Sequence, residues 1–379
     1  MNAVLDRPLQ EKLTKEEPSQ QEPKAYALEN LTDRYQVSVN EYIKFKRDGF
    51  LVVKNLVSPA EIAELRRHTD DLMQGRLPEQ TRQMNSGDKP EQGVAVQGLD
   101  APPAHLSPEE KVQYFLRLHM LHRQLELHER YLLHPRVLDV LEVLTGPDIL
   151  ALQSMLFLKP AGKPGQGWHQ DSFYIPTHPD TLCGAWIAID DADELNGAMW
   201  MAKGSNAEPV YPPHVGSYGH GDAIDGITQV AGVSDPDDEK NDLAKIGDKY
   251  DQVLVSARAG DVVFFGGHIL HRSKKNYTTD RVRRSFVGHF CNARSFTQWG
   301  ADELAAQGTD PITGMTNGSH ILARGDTHLP FARPRFGTPC AALLPAEERR
   351  CQSEHAAAMM GDMDSGLMGA MPSDPDITH

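Results

Sequence analysis

The stretch from Gly165 to Phe173, GQGWHQDSF, places His169 and Asp171 two residues apart, directly after a loop rich in glycine and proline. If the segment is extended, both side chains point to the same face, because side chains alternate along a strand. An imidazole and a carboxylate that converge in this way are two ligands of a 2-His-1-carboxylate iron site. The third ligand, a second histidine, must come from elsewhere in the chain.

Composition limits the class of protein. The chain has 379 residues and a net charge of −15, which argues against a general nucleic-acid-binding protein because such proteins carry a basic face. Its four cysteines show no CxxC spacing, so we expect free thiols in a reducing compartment. The N-terminus lacks the apolar core of a secretory signal, and no apolar run approaches the roughly 20 residues of a membrane-spanning helix. We therefore expect a cytoplasmic protein without a membrane segment.

The first half of the chain is rich in helix signals. We expect residues 1–36 to be disordered, because they are polar and rich in Glu, Lys, Gln and Pro. A short helix is predicted from Ser38. Capping boxes at Ser58 and Ser107 predict two more, the second continuing through about Leu133. Another helix is predicted from Pro135 and ends before Gly146-Pro147.

The second half of the chain is rich in strand signals. The predicted strands are 149–158, 182–189, 198–202, 253–255, 262–265, 269–272 and 283–290. Short strands separated by turns indicate a closed or sandwiched β structure, with the helices packed outside it. We expect one domain over residues 37–345, with an acidic insertion at 207–250 and a flexible tail at 346–379.

Four His-x-Asp matches occur, beginning at His68, His169, His178 and His220. The first lies in a predicted helix, where residues i and i+2 point about 200° apart and cannot share a metal ion. The third contains proline, the fourth lies in the glycine-rich insertion, and neither has flanking strand signals. Only the match at His169 is compatible with a strand that opens onto a pocket.

Residues 260–273, GDVVFFGGHILHRS, predict a tight turn, a buried strand, and a second strand that carries His268 and His271. The two histidines are three residues apart and therefore face opposite sides of a strand. A hairpin centred near Tyr277 would place His271 opposite Arg283 on an adjacent antiparallel strand. We therefore favour His271 as the third ligand, and we interpret His268 as a rim or structural residue.

A 2-oxo acid bound to iron needs a cation for its far carboxylate, and arginine binds a carboxylate through two parallel N–H bonds. Arg283 would supply this cation, and Ser285 on the same strand face would add a hydroxyl. A surface ion pair is the alternative for Arg283, since Arg281 and Arg284 are nearby. His289 shares the strand face, and we interpret it as a buried core histidine, with a pocket residue as the alternative.

In combination these residues resemble the phytanoyl-CoA dioxygenase family of Fe(II)- and 2-oxoglutarate-dependent oxygenases. The resemblance begins at DGFLVV, ends near Phe290, and rests on HPRVLDVLEVLTGPDI, SMLFLKPAG, WHQD, GAWIAIDD, NGAMWMAKGS and GDVVFFGGHILHRS. It implies an α+β protein whose β core is a double-stranded β-helix, or jelly-roll, flanked by N-terminal helices. It also implies that His169, Asp171 and His271 form the iron triad, with Arg283 on the C5 carboxylate of 2-oxoglutarate.

The resemblance extends to further residues. It implies that Met155 and Trp186 flank the cosubstrate, with core packing as the alternative. Relatives often carry a lysine near the cosubstrate on the preceding helix, and the nearest match here is Arg117. Relatives that halogenate replace the triad carboxylate by a small residue, so Asp171 favours hydroxylation.

We therefore expect a hydroxylase that uses Fe(II), 2-oxoglutarate and O2 on an unactivated C–H of a small organic molecule, releasing succinate and CO2. Acyl-CoA esters and natural-product-like molecules are candidate substrates, and Gln170, Phe173 and Tyr174 are candidate substrate contacts. A zinc hydrolase or isomerase on the same fold is one alternative, because His/Asp/His also binds Zn²⁺. A non-catalytic binding protein is the other. Arg283 argues against the first, and the intact triad and anchor argue against the second.

Overall fold

The computed structural model describes residues 34–84, 94–97, 99–211, 238–295, 297, 320–327 and 336. The predictions for the N-terminal segment, for most of the acidic insertion with its His-x-Asp match, and for the C-terminal tail lie outside these residues. The described residues from Tyr35 onward belong to one compact unit.

The predicted capping boxes set the first helices. Ser38, Ser58 and Ser107 each accept a hydrogen bond from the backbone of a glutamate three residues on, and that glutamate bonds back to the serine N–H. The helices are α1 (Val39–Asp48), α2 (Pro59–Gln74), α3 (Pro108–Tyr114), α4 (Glu126–Leu132), α5 (Pro135–Leu144), α6 (Asp171–Tyr174) and α7 (Asp242–Gly247).

The single helix predicted from Ser107 to about Leu133 is wrong. α3 ends at Tyr114, and the chain continues at once as a strand, β3 (Phe115–His119), before α4 begins. β3 pairs with β4 (Ile149–Lys159) in an antiparallel ladder that buries Phe115 and Leu118. Pairing and burial at this sheet edge override the local helix preference. A further strand, β2 (Val94–Gln97), pairs with β3.

The strands of the described residues form two sheets. The larger sheet has the order β1-β9-β6-β11-β4-β3-β2, with β12 also on β4, and the smaller has the order β5-β10-β7-β8. The pairing is antiparallel except between β2 and β3. The remaining strands are β1 (Phe50–Val53), β5 (Gln166–His169), β6 (Cys183–Ala188), β7 (Met199–Ala202), β8 (Gln252–Val255), β9 (Val262–Gly266), β10 (His271–Ser273), β11 (Arg283–Asn292) and β12 (Ile321–Arg324).

Two apolar layers hold this arrangement together. Helices α2 and α5 pack on one face of the larger sheet, where Leu65 and Leu138 meet Phe264 and Phe286 in a buried cluster. The other face of that sheet packs against the smaller sheet through a second cluster that includes Trp186. Alternating side chains of β9 and β11 serve the two layers, as expected for a sheet buried on both faces. The predicted sandwich with helices outside it is confirmed.

The hairpin predicted between His271 and Arg283 is wrong. β10 lies in the smaller sheet between β5 and β7, whereas β11 lies in the larger sheet between β4 and β6. Asn276 holds the crossover between the sheets, since its amide donates to the carbonyls of Lys159 at 2.9 Å and Arg281 at 2.8 Å. His271 and Arg283 therefore approach one cavity from opposite sheets.

Gly165 allows β5 to lie close to β10. A Cβ at this position would lie 1.8 Å from the backbone oxygen of Ser273. We therefore expect Gly165→Ala to lower the free energy of unfolding by roughly 1–3 kcal/mol, as overpacking does. Gly266→Ala is the matched control, because its added Cβ would meet nothing closer than 3.9 Å. Urea denaturation of the two variants measures the difference, and equal stability would contradict this account of β5 and β10.

Candidate metal and 2-oxo acid site

The pairing of β5 with β10 places two histidines side by side. His169 ends β5 and His271 begins β10, and the two residues are direct partners in the antiparallel register. Their ring centroids lie 4.1 Å apart. Both side chains are buried. The strand ladder therefore brings together two imidazoles that lie far apart in the chain.

Asp171 completes the group from a different element than expected. It is the first residue of the short helix α6 and does not continue β5, so the prediction that one strand carries both His169 and Asp171 is wrong. The chain stays extended through Gln170 and then turns into the helix. Asp171 Oδ1 lies 3.8 Å from His169 Nε2 and 3.7 Å from His271 Nε2. The three buried side chains offer ligand atoms within 4.8 Å of one another.

Backbone carbonyls orient both imidazoles. Nδ1 of His169 donates to the Gly167 carbonyl at 2.8 Å, and Nδ1 of His271 donates to the Ile269 carbonyl at 3.1 Å. The proton on Nδ1 leaves Nε2 with a free lone pair facing Asp171. Burial, with the neighbouring His271, lowers the pKa of His169 to about 3, so the ring is neutral at pH 7. Two imidazoles and one carboxylate are a donor set that suits divalent iron.

His289 holds the second oxygen of the carboxylate. Its Nε2 lies 3.0 Å from Asp171 Oδ2 in a buried contact. Burial alone would raise the pKa of Asp171, but the nearby His271 and His289 outweigh it and hold the pKa below its usual value. Asp171 is therefore ionised, with Oδ1 left for a metal. The interpretation of His289 as a core histidine missed this contact, although its place on the face of Arg283 and Ser285 was a usable signal.

A cavity of about 350 Å³ lies between the two sheets and contains this group. Arg283 lines it and is only 3% exposed. Its guanidinium donates to Ser285 Oγ at 2.9 Å and lies 5.7 Å from the centre of the Trp186 ring. Burial lowers the pKa of Arg283 to about 10, which still leaves it charged at pH 7. Within the described ranges no carboxylate forms an ion pair with it.

A surface ion pair is the alternative for Arg283, but its neighbours Arg281 and Arg284 form such pairs instead. Arg281 pairs with Asp193 at 2.6 Å, and Arg284 pairs with Asp190 at 2.7 Å. Arg283 points to the strand face opposite Arg284 and lines the cavity, and no carboxylate among the described residues pairs with it. An unpaired buried guanidinium is costly unless an anionic ligand accompanies it.

The other residues singled out from the sequence divide into two groups. Met155, Trp186, Arg117 and Tyr174 line the cavity. Arg117 does so from strand β3 and not from a helix. The remaining residues lie behind the cavity wall: Ser285 supports Arg283, Phe173 packs edge-on against Tyr174, and the Gln170 amide bonds Pro209, His268 and Tyr211.

Sequence reasoning also missed Lys159 and Ser273. Lys159 is buried at the end of β4, and its Nζ donates to Ser273 Oγ and to the Lys274 carbonyl, each at 2.8 Å. Burial, with the nearby Arg283, holds the pKa of Lys159 well below its usual value. Ser273 lines the cavity, so the contact connects the larger sheet to the cavity wall. Lys159 lies in the segment SMLFLKPAG, but only the fold shows where its amine points.

His268 faces away from His169, Asp171 and His271. Its Nδ1 donates to the Glu208 carbonyl at 2.7 Å, and its Nε2 bonds the Asp180 carboxylate. The preference for His271 over His268 therefore agrees with the geometry of the structure.

Comparison with known proteins agrees with this geometry. The family model described as phytanoyl-CoA dioxygenase (PhyH) matches residues 45–285, more than half of the chain. Peroxisomal phytanoyl-CoA dioxygenase from Bos taurus is 28% identical over 254 residues, covering 66% of this chain and 67% of that protein. Phytanoyl-CoA dioxygenase domain-containing protein 1 from Danio rerio is 26% identical over 285 residues, covering 68% and 90%.

Two solved structures from nogalamycin biosynthesis share the fold. The non-heme alpha ketoglutarate dependent carbocyclase SnoK gives a TM-score of 0.52 at 17% identity, covering 75% of this chain and 96% of that one. The epimerase SnoN, solved with Fe3+, alpha ketoglutarate and nogalamycin RO, gives 0.51 at 19% identity, covering 73% and 94%. At these identities the likeness is evidence for the fold alone, and the predicted jelly-roll core is confirmed.

Fold, site and family model together define an Fe(II)- and 2-oxoglutarate-dependent dioxygenase. Within that class, the chain belongs to the phytanoyl-CoA dioxygenase family. In the portion of the chain that the structure describes, no helix combines the length and apolar character that crossing a membrane requires.

The contact between His289 and Asp171 predicts a change in metal affinity. His289→Leu removes the donor to Oδ2, so we expect Fe(II) to bind roughly 10- to 100-fold more weakly, as for other groups that orient a metal ligand. His289→Gln, which keeps a donor, should recover part of the loss. His119→Leu is the control, since His119 lines the same cavity without a bond to the triad. Anaerobic Fe(II) titration measures each affinity, and equal losses in the two leucine variants would contradict the role of His289.

Proposed function

We propose that this protein hydroxylates an unactivated C–H bond of a small organic molecule. His169, Asp171 and His271 would hold Fe(II), and Arg283 with Ser285 would hold the C5 carboxylate of 2-oxoglutarate. The observation that supports this most directly is that one cavity contains both a three-ligand group and a buried guanidinium that pairs with no carboxylate of the described residues. A dicarboxylate that chelates the metal at one end and meets a cation at the other accounts for both.

The chain's own residues bind and orient the reactants. When bound, Fe(II) supplies the oxidising chemistry, in which O2 and 2-oxoglutarate yield succinate and CO2 and one oxygen atom enters the substrate C–H bond. Three ligands on one face of the metal leave the other positions for the cosubstrate and O2. His289 holds Oδ2 of Asp171, so Asp171 would bind the metal through Oδ1 alone and would leave those positions free. The preserved Asp171 carboxylate favours hydroxylation over halogenation.

The cavity walls set the size and character of the substrate. Met155, Trp186, Phe265 and Val287 give the site an apolar lining that excludes water and can hold an aliphatic C–H bond. A volume of about 350 Å³ is at the lower end for ligand sites. A natural-product-like molecule would have to be compact, and an acyl-CoA ester could place only its acyl part inside.

The rival functions do not need the same residues. A zinc hydrolase or isomerase could use the His/Asp/His group, but it has no need for a buried cation that awaits a dicarboxylate. A binding protein without turnover would not require Asp171 to be ionised and held through one oxygen. Arg283 and His289 therefore favour the oxygenase over both rivals.

Binding of 2-oxoglutarate tests the role of Arg283. Under anaerobic conditions, 2-oxoglutarate added to the Fe(II) protein should produce the weak visible charge-transfer band of the chelate. Arg283→Gln should weaken 2-oxoglutarate binding roughly 10- to 100-fold, because it removes a charge-assisted hydrogen-bond pair. Arg281→Gln is the matched control, since Arg281 pairs with Asp193 outside the cavity.

The same titration distinguishes the three functions. A folded protein that gives no band, or an Arg283→Gln variant that binds 2-oxoglutarate as tightly as the natural protein, would refute the proposed cosubstrate site. Admitting O2 to the complex and measuring succinate then separates an oxygenase, which forms it, from a binding protein, which does not.

A further inference from the structure

We propose that Arg117 binds an anionic group of the primary substrate, and that this substrate is an apolar molecule with one free carboxylate. The proposal rests on the function proposed above, because it concerns the charge that remains once Fe(II) and 2-oxoglutarate are bound. The family resemblance implies that Arg117 lies near the cosubstrate. The present proposal assigns Arg117 to the substrate instead.

Arg117 is a second cation in the cavity without a counter-ion. It lies on β3, opposite Phe157 of β4 in the register, and its side chain lines the cavity. Its Nε is buried and has no hydrogen-bond partner. Within the described ranges no carboxylate pairs with it. Burial lowers the pKa of Arg117, which is the direction expected for a cation that lacks a counter-charge.

Arg272, the third arginine among the described residues that line the cavity, differs from Arg117 because protein groups pair with it. Arg272 pairs with the carboxylate of Asp238, donates to Gln252 at 3.0 Å, and lies 4.6 Å above the Trp168 ring. Its charge is therefore met by protein groups. Arg117 and Arg283 are the two cavity guanidiniums left for ligands among the described residues.

A charge count indicates how many anionic groups the ligands must bring. Fe(II) and the Asp171 carboxylate together leave one positive charge, and Arg283 and Arg117 add one each. Bound 2-oxoglutarate brings two negative charges, so one positive charge remains. A carboxylate has one negative charge and matches it, whereas a phosphate monoester with about two would overshoot. Matching the charge matters because unpaired charges are costly away from water.

Arg117 and Arg283 lie on different strands of the larger sheet, and both side chains line the space between those strands. Ser285 is opposite Phe157, and Phe157 is opposite Arg117, so β4 lies between the strands of the two arginines. Neighbouring strands lie about 4.8 Å apart, so the two backbones are separated by about 10 Å. Tyr174, which lines the same cavity, is 38% exposed, so a substrate would enter past this residue.

The surroundings of Arg117 define the rest of the ligand. Phe157, Ile175 and Val287 line the same cavity, so a carboxylate at Arg117 would be attached to an aliphatic body. A CoA thioester has no free carboxylate on its acyl carbon. The proposal therefore favours the free acid over its CoA ester.

Paired acids and amides test the charge requirement. Hexanoate, octanoate and decanoate are compared with their primary amides as probes of the anaerobic Fe(II)–2-oxoglutarate complex, read as a shift of its visible band. We expect the acids to bind at least roughly tenfold more tightly than the amides. This preference should be absent in Arg117→Gln, partly kept in Arg117→Lys, and unchanged in the control Arg281→Gln.

The outcomes separate this inference from the proposed function. Acids and amides that bind alike, or that both fail to bind the natural protein, overturn the inference. An Arg117→Gln variant that loses 2-oxoglutarate affinity as strongly as Arg283→Gln also overturns it, because Arg117 would then serve the cosubstrate. In those cases the visible charge-transfer band that the natural protein forms with Fe(II) and 2-oxoglutarate still supports the proposed oxygenase function. The absence of that band refutes the proposed function itself.

Discussion

The antiparallel pairing of β5 with β10 is the interaction on which the rest of the site depends. Its register sets His169 directly opposite His271, and the backbone carbonyl two residues before each histidine fixes the ring. Close approach of the strands requires glycine at position 165, because an added Cβ there would collide with the backbone of β10. α6 begins two residues after the last residue of β5, and this short connection brings Asp171 to the two imidazoles.

The opposite wall of the cavity depends on β11 in the larger sheet. One face of this strand carries Arg283 at its beginning and His289 further on, with Ser285 between them. His289 holds the carboxylate of Asp171, and Ser285 holds the guanidinium of Arg283. β11 is buried between β4 and β6, so these groups are held on a rigid element. We infer that the distance between metal and cosubstrate anchor is set by sheet packing and not by a loop.

Much of this could be predicted from the sequence because the signals are local. The capping box at Ser58, the apolar strand signals and the spacing of His169 and Asp171 each need only a few neighbouring residues. The errors arose where distant pairing decides the outcome. The helix predicted through Leu133 gives way to β3 because β4 is there to pair with it. The segment around Tyr277, predicted as a hairpin, instead connects two sheets, and the contact of His289 with Asp171 exists only once those sheets face each other.

A crystal structure of the protein grown anaerobically with Fe(II) and 2-oxoglutarate tests the central claim most directly. The account predicts a single iron held by Nε2 of His169, Oδ1 of Asp171 and Nε2 of His271, with Asp171 Oδ2 still bonded to His289. It predicts the C5 carboxylate of 2-oxoglutarate on Arg283. Iron bound elsewhere, or a cosubstrate whose C5 carboxylate lies away from Arg283, would contradict it.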